Sequence, residues 1–139
     1  MTRIVRALVL LVVIFFSGCE RHADGGRVSL SSVVAGPARF VDSDLTVAGY
    51  HKSGAEPSFL YLTREHAQID DWPSGVALWE TVDGQRFSAL AGCQNQYVMV
   101  VGRLSVLPTE QLGITDIVRV VALGDGRDSS KICFNATTN

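Results

Sequence analysis

What this chain has little of narrows its chemistry before any motif is considered. Twelve Lys and Arg face fourteen Asp and Glu, and the basic residues form no cluster. Nucleic-acid binding rests largely on neutralised phosphates, so a mildly acidic chain without a basic patch is a poor candidate for it. No HExxH or CxxC supplies metal-ligand spacing, and no GxSxG or glycine-rich phosphate loop is present. No Ser/His/Asp order stands out, so the sequence offers no positive support for an enzyme, a metal or a cofactor. Cysteine is limited to three residues, and no sustained helical period runs through the chain.

What is present begins at the amino terminus. Arg3 and Arg6 form a positive region, and Ala7 through Phe16 are apolar without interruption. Counted from Ile4 the stretch covers 13 positions with Arg6 inside it, short of the roughly 18–20 residues that span a bilayer as a helix. A buried amphipathic helix would carry polar residues at a 3.6 period, and none occur from Ala7 to Phe16. The pattern predicts a secretory signal peptide over residues 1–18.

Ser17-Gly18-Cys19 follows directly and resembles the lipobox of bacterial lipoproteins, with Phe16 where Leu, Val or Ile is usual. The resemblance implies that Cys19 is the new amino terminus, carries diacylglycerol on its sulfur and becomes triacylated with palmitate-type chains. One acyl chain holds a protein weakly, since each buried CH₂ contributes about 0.8 kcal/mol, so stable anchoring takes more than one. In that family an aspartate after the cysteine signals inner-membrane retention. Glu20 stands there instead, which implies a periplasm-facing outer-membrane protein. The competing reading is an ordinary signal peptide cut near Gly18, with Cys19 as a free thiol or a disulfide partner.

Without residues 1–18, ten basic and fourteen acidic side chains remain, a formal charge of −4. The remaining length suits one domain and not two. With Cys19 lipidated, Cys93 and Cys133 are left, and in an oxidising compartment an even pair reads as a disulfide. The alternative is a Cys93 nucleophile, which needs His51 or His66 as its base.

Residues 19–27 are polar and glycine-containing and read as the lipidated tether. The domain then occupies 28–139. Ser29 or Ser31 is placed to cap a short helix through Ala35, ended by Gly36-Pro37, with a strand as the alternative because of Val33 and Val34. Strands are expected at Leu45–His51, Ser58–Thr63, Val76–Trp79, Tyr97–Leu104 and Ile114–Leu123, with the fourth central. Arg64–Gln68 reads as a polar loop or one helical turn, and Phe87–Gly92 as another turn. Asp83-Gly84 and Gly124–Asp128 mark turns, and Lys131–Phe134 is expected to return towards Cys93. Gly49 and Gly102 suggest bulges or bends that curve a sheet. Five strands with short helical pieces predict an all-β fold, a small five-stranded barrel. It resembles the OB-fold group of small exported bacterial proteins, with a β-sandwich as the alternative.

Arg64, His66, Asp70, Asp71 and Trp72 gather the remaining chemistry. If this stretch were helical, His66 and Asp70 would share a face, yet two candidate ligands do not make a metal site. Trp72 beside charged residues fits a recognition anchor. Three functions follow as expectations. The first is a non-catalytic lipoprotein whose barrel binds a protein partner or envelope component through Arg64–Trp72. The second is a periplasmic inhibitor or immunity protein. The third is a small hydrolase using His66 and neighbouring carboxylates, which requires those groups to converge in a pocket.

Overall fold

Alternation along one strand decides where the interior lies. In β2 (Asp44–Lys52) the odd positions Leu45, Val47, Gly49 and His51 are all buried, while Asp44 and Ala48 are exposed, as the two-residue period of a strand with one inward face requires. The computed structural model describes residues 25–52, 58–79, 81–82, 85–86, 89–124 and 131–136. The apolar run, Cys19 and most of the tether lie outside the described residues. So do the loop at 53–57, the Asp83-Gly84 turn, Phe87-Ser88 and the turn after Gly124.

In chain order the elements are β1 (Gly26–Arg27), α1 (Leu30–Ala35), β2, β3 (Ser58–Tyr61), α2 (Arg64–Gln68), β4 (Gly75–Leu78), β5 (Thr81–Val82), β6 (Gln85–Arg86), β7 (Gln96–Val106), β8 (Leu112–Ala122) and β9 (Ile132–Asn135). Single 3₁₀ turns lie at Pro37–Arg39, Trp72–Ser74 and Ala89–Cys93. β2 pairs with β3, β3 with β4, β4 with β8, β8 with β7, and β7 with β2 again. Five strands therefore close into a barrel, the all-β, OB-like architecture that the strand pattern predicts, with β1 and β9 added outside the ring. Closure leaves no free edge within the ring. The β4–β8 pairing is parallel and spans only Ala77↔Gly113 and Leu78↔Ile114.

Inward residues of all five strands form one core, with Leu60, Leu78, Val98, Val100, Leu104, Ile114 and Val120 among its members. α1 contributes Leu30 and Val33 to it. The helix forms here because Ser29 accepts the backbone N–H of Ser32 at 3.2 Å, while Gly36 donates its N–H to the Ser32 carbonyl. Both ends are thus satisfied locally, which outweighs the strand preference of Val33 and Val34. A second, smaller core lies on the outer side of β3 and β4. There Phe59, Tyr61 and Ala77 face outward and are covered by Ala67 of α2 and by Leu107, with Tyr50 joining them.

The two glycines act differently from one another. At Gly49 the β2–β7 register runs unbroken, so there is no bulge. Its Cβ would sit 2.7 Å from Leu60 Cγ and 2.8 Å from Leu30 Cδ2, and it is the close approach that requires glycine. At Gly102 the irregularity belongs to the partner strand: Val101 pairs with Arg119 and Arg103 with Thr115, which leaves Asp116, Ile117 and Val118 opposite one residue. Asp116 takes a left-handed φ of 46° in this bulge, and Ile117 is buried.

Candidate functional site

The segment after β3 folds around Thr63. Its Oγ1 accepts the backbone N–H of His66 at 3.4 Å and lies 2.9 Å from His66 Nδ1, capping α2. The helix stops after Gln68, and Asp70 adopts φ 51°, the left-handed region that Asp tolerates better than most residues. Because of that break, His66 and Asp70 do not share a helical face. Lys52 of β2 reaches across instead, with Nζ 2.8 Å from the Ala67 carbonyl and 2.6 Å from Asp70 Oδ1. A cation at the last carbonyls suits a helix C-terminus, but at this exposure the ion pair contributes only about 0–1 kcal/mol.

Tyr61 lies beneath. Burial and then the Asp70 carboxylate push its phenol above the ordinary range, so it stays protonated and directs its hydroxyl to Asp70 Oδ1 at 3.5 Å. Asp71 accepts a hydrogen bond from Ser74 Oγ at 2.5 Å, and its Oδ2 is 3.9 Å from His66 Nε2. Arg64 is exposed at the start of α2. The five predicted residues thus occupy one surface turn, but the carboxylates point into two separate interactions. Among the described residues no group of three or more His, Cys, Asp or Glu is arranged to hold a metal ion.

Trp72 projects from this turn, 58% exposed, at the start of a 3₁₀ turn that Pro73 continues. Its ring stacks on Phe59 with centroids 6.2 Å apart and planes 10° from parallel. Phe59 is itself buried in the outer core, so the indole rests on a fixed base. Around the pair lies a groove of about 190 Å³ walled by Val34, Phe59, Trp72, Pro73, Gly75, Gln111 and Leu112. It sits beside the short β4–β8 junction, where β8 begins. His66 and Asp70 are not on its wall.

Of these wall residues the sequence singled out only Trp72. Phe59 is 13 positions away and Gln111 is 39, and the β3–β4 and β4–β8 pairings bring them together. No local pattern signals that convergence.

Cys93 and Cys133 meet at disulfide distance, with Cα atoms 5.9 Å apart across a sequence separation of 40. Closing such a loop contributes about 4 kcal/mol in the chain-entropy model. Cys93 belongs to the interior core, and His51 Nδ1 lies 2.8 Å from its carbonyl oxygen, not its sulfur. The imidazole therefore donates Nδ1–H to the backbone, an anchoring contact and not a base placed at a thiol. No known protein-family model matches this chain, and no curated protein matches it.

Proposed function

We propose that this is a non-catalytic, lipid-anchored envelope protein whose barrel binds a protein partner through the groove at Trp72. The observation that carries this reading is an exposed indole stacked on a buried Phe59 at the edge of an apolar groove. Tryptophan held rigid in this way is the residue type that dominates the energetics of protein interfaces. The groove volume of about 190 Å³ falls below the roughly 300–1,000 Å³ that enclose a small-molecule ligand. It suits one inserted side chain of a larger partner.

The hydrolase reading draws less support. Thr63, His66 and Asp71 do follow a hydroxyl–imidazole–carboxylate order, but the Thr63 hydroxyl is engaged as a helix cap and Asp71 is 3.9 Å away. None of the three opens onto the groove. An inhibitor or immunity role is the special case in which the bound partner is an enzyme or toxin. Lipidation at Cys19 and outer-membrane placement belong to the same proposal and give the partner an address in the periplasm.

Photo-crosslinking tests it. A photoreactive residue placed at position 72 in growing cells is expected to capture a discrete protein adduct. The same residue at Val118, also exposed, is expected to capture none. Equal, diffuse labelling at both positions would sink the docking role of this groove.

A further inference from the structure

We infer that Cys93 and Cys133 form a redox latch, which pins β9 to the barrel and releases it when a dithiol reduces the bond. The ring closes through β2, β3, β4, β8 and β7, so β9 is an addition to it and not a condition of closure. Among the described strands, β9 pairs with β8 alone. That ladder is short and broken: Asn135 faces Arg119, Phe134 faces Val120, and Ile132 faces Val121. Cys133, between Ile132 and Phe134, has no residue opposite it. It is the extra residue of a bulge, where a ladder is interrupted and a side chain re-aimed. The sulfur therefore leaves β9 at the point where the pairing with β8 is interrupted.

The two ends of the bond are held unequally. Cys93 ends the 3₁₀ turn Ala89–Cys93 and is fully buried, and its carbonyl accepts Nδ1–H of His51 from inside the barrel. Cys133 is only partly buried, on a strand whose first residue, Ile132, is 51% exposed. Apart from the sulfurs, Lys131 Nζ donates to the Gly92 carbonyl at 3.2 Å, an exposed contact that water can replace. Access decides which sulfur of a disulfide a thiolate attacks, and here it favours Cys133. The attacking thiolate bonds to Cys133 Sγ, the Cys93–Cys133 bond breaks, and Cys93 leaves as a thiolate that takes up a proton. The second thiolate of the reductant then attacks the reductant's own sulfur in the mixed disulfide, and Cys133 leaves and is protonated. Two electrons have passed to the cysteines, and the dithiol has become a disulfide. The Cys93 half stays where the core and His51 fix it, so the part that moves is β9. Its departure uncovers the β8 backbone from Arg119 to Ala122, where the Ala122 N–H had been given to the Lys131 carbonyl at 2.8 Å. An uncovered strand edge of this kind is open to pairing with another strand.

Timed alkylation of the detergent-extracted full-length protein in dithiothreitol, with the modified peptides mapped by mass, tests the latch. Cys133 is expected to react roughly ten-fold faster than Cys93 or more, because a buried thiol waits for the barrel to open. Hydrogen exchange on the same sample should lose protection over Ile132–Asn135 and keep it at Val47, Val98 and Val100. Cys133→Ser should reproduce that pattern without reductant. Equal rates at the two cysteines, or loss of ring protection on reduction, would overturn the proposal and make the bond a staple of the whole barrel. A Cys133→Ser chain that does not fold would say the same. Protection of β9 unchanged by reduction would also overturn it, since strand pairing would then hold β9 unaided. A chain with no two-hydrogen mass difference before and after reduction would lack the bond, and the latch with it.

Discussion

His51 is the buried polar side chain of the described residues, 1% exposed on the inward face of β2. Its Nδ1–H is taken by the Cys93 carbonyl, which fixes Nε2 as a bare acceptor, and that atom is buried without a hydrogen-bond partner. Protonating it would place a charge in the barrel with nothing to receive it. Burial accordingly holds the imidazole below its ordinary pKa of 6.5, with the hydrogen bond to Cys93 a smaller opposing effect. The unfolded chain then binds a proton that the fold excludes. His51 therefore costs no stability above the ordinary value, and stability is lost as pH falls below it. Urea midpoints measured from about pH 8 to pH 5 should fall more steeply in the natural protein than in His51→Gln, since only the former loses stability by this route. Parallel profiles would show that the imidazole does not titrate against folding. At the same scale, Thr63 shows why the turn near Trp72 is firm: one hydroxyl serves both the helix end and the His66 ring.

At the scale of elements, β8 carries its extra residues in a bulge opposite Gly102. A Cβ there would lie 2.7 Å from Ile114 Cγ2 and 2.8 Å from the Thr115 carbonyl. The carbonyl is backbone and cannot rotate away. Gly102→Ala is expected to destabilise the fold by about 1–3 kcal/mol, as overpacking does, readable as a lower denaturation midpoint. An unchanged midpoint would mean that the bulge can relax. The five ring strands are legible in the sequence because β-branched and aromatic runs are punctuated by Gly, Pro and Asp, a signal carried within each segment. The bulge is not legible in the same way. Gly102 announces an irregularity, but the extra residues are in the neighbouring strand, and which strand yields depends on packing between them. The groove was legible only at Trp72. Phe59 and Gln111 join it through the β3–β4 and β4–β8 pairings, and no local signal encodes such pairings. His51 gave no sign of its burial either, because the β2 pattern places a histidine where an aliphatic residue would be expected.

For the whole molecule, the proposed place of action rests on the described barrel, the cysteine pair and the expected processing of the amino-terminal segment. A domain of this size buries a modest core, and a bridge worth about 4 kcal/mol is a large share of typical stability. A bond between Cys93 and Cys133, which stand at disulfide distance, would be expected to persist only in an oxidising compartment. A lipid at Cys19 would go further. It would confine the protein to a membrane surface and convert a weak encounter at Trp72 into one between tethered molecules, where effective concentration raises occupancy without any new contact. A single slot of about 190 Å³ needs that help more than a broad interface would. Intact mass of the membrane-extracted protein, before and after reduction, tests both features. The expected mass is that of residues 19–139 plus acyl chains, lighter by two hydrogens before reduction. Lipid without the two-hydrogen difference would leave the address and remove the bridge, and the barrel would have to be stable on its core alone. An unlipidated chain with a free thiol at Cys19 would remove the tether. The groove would then need nanomolar contacts of its own, which one indole over a single slot does not supply, and a soluble partner with a larger footprint would have to be sought.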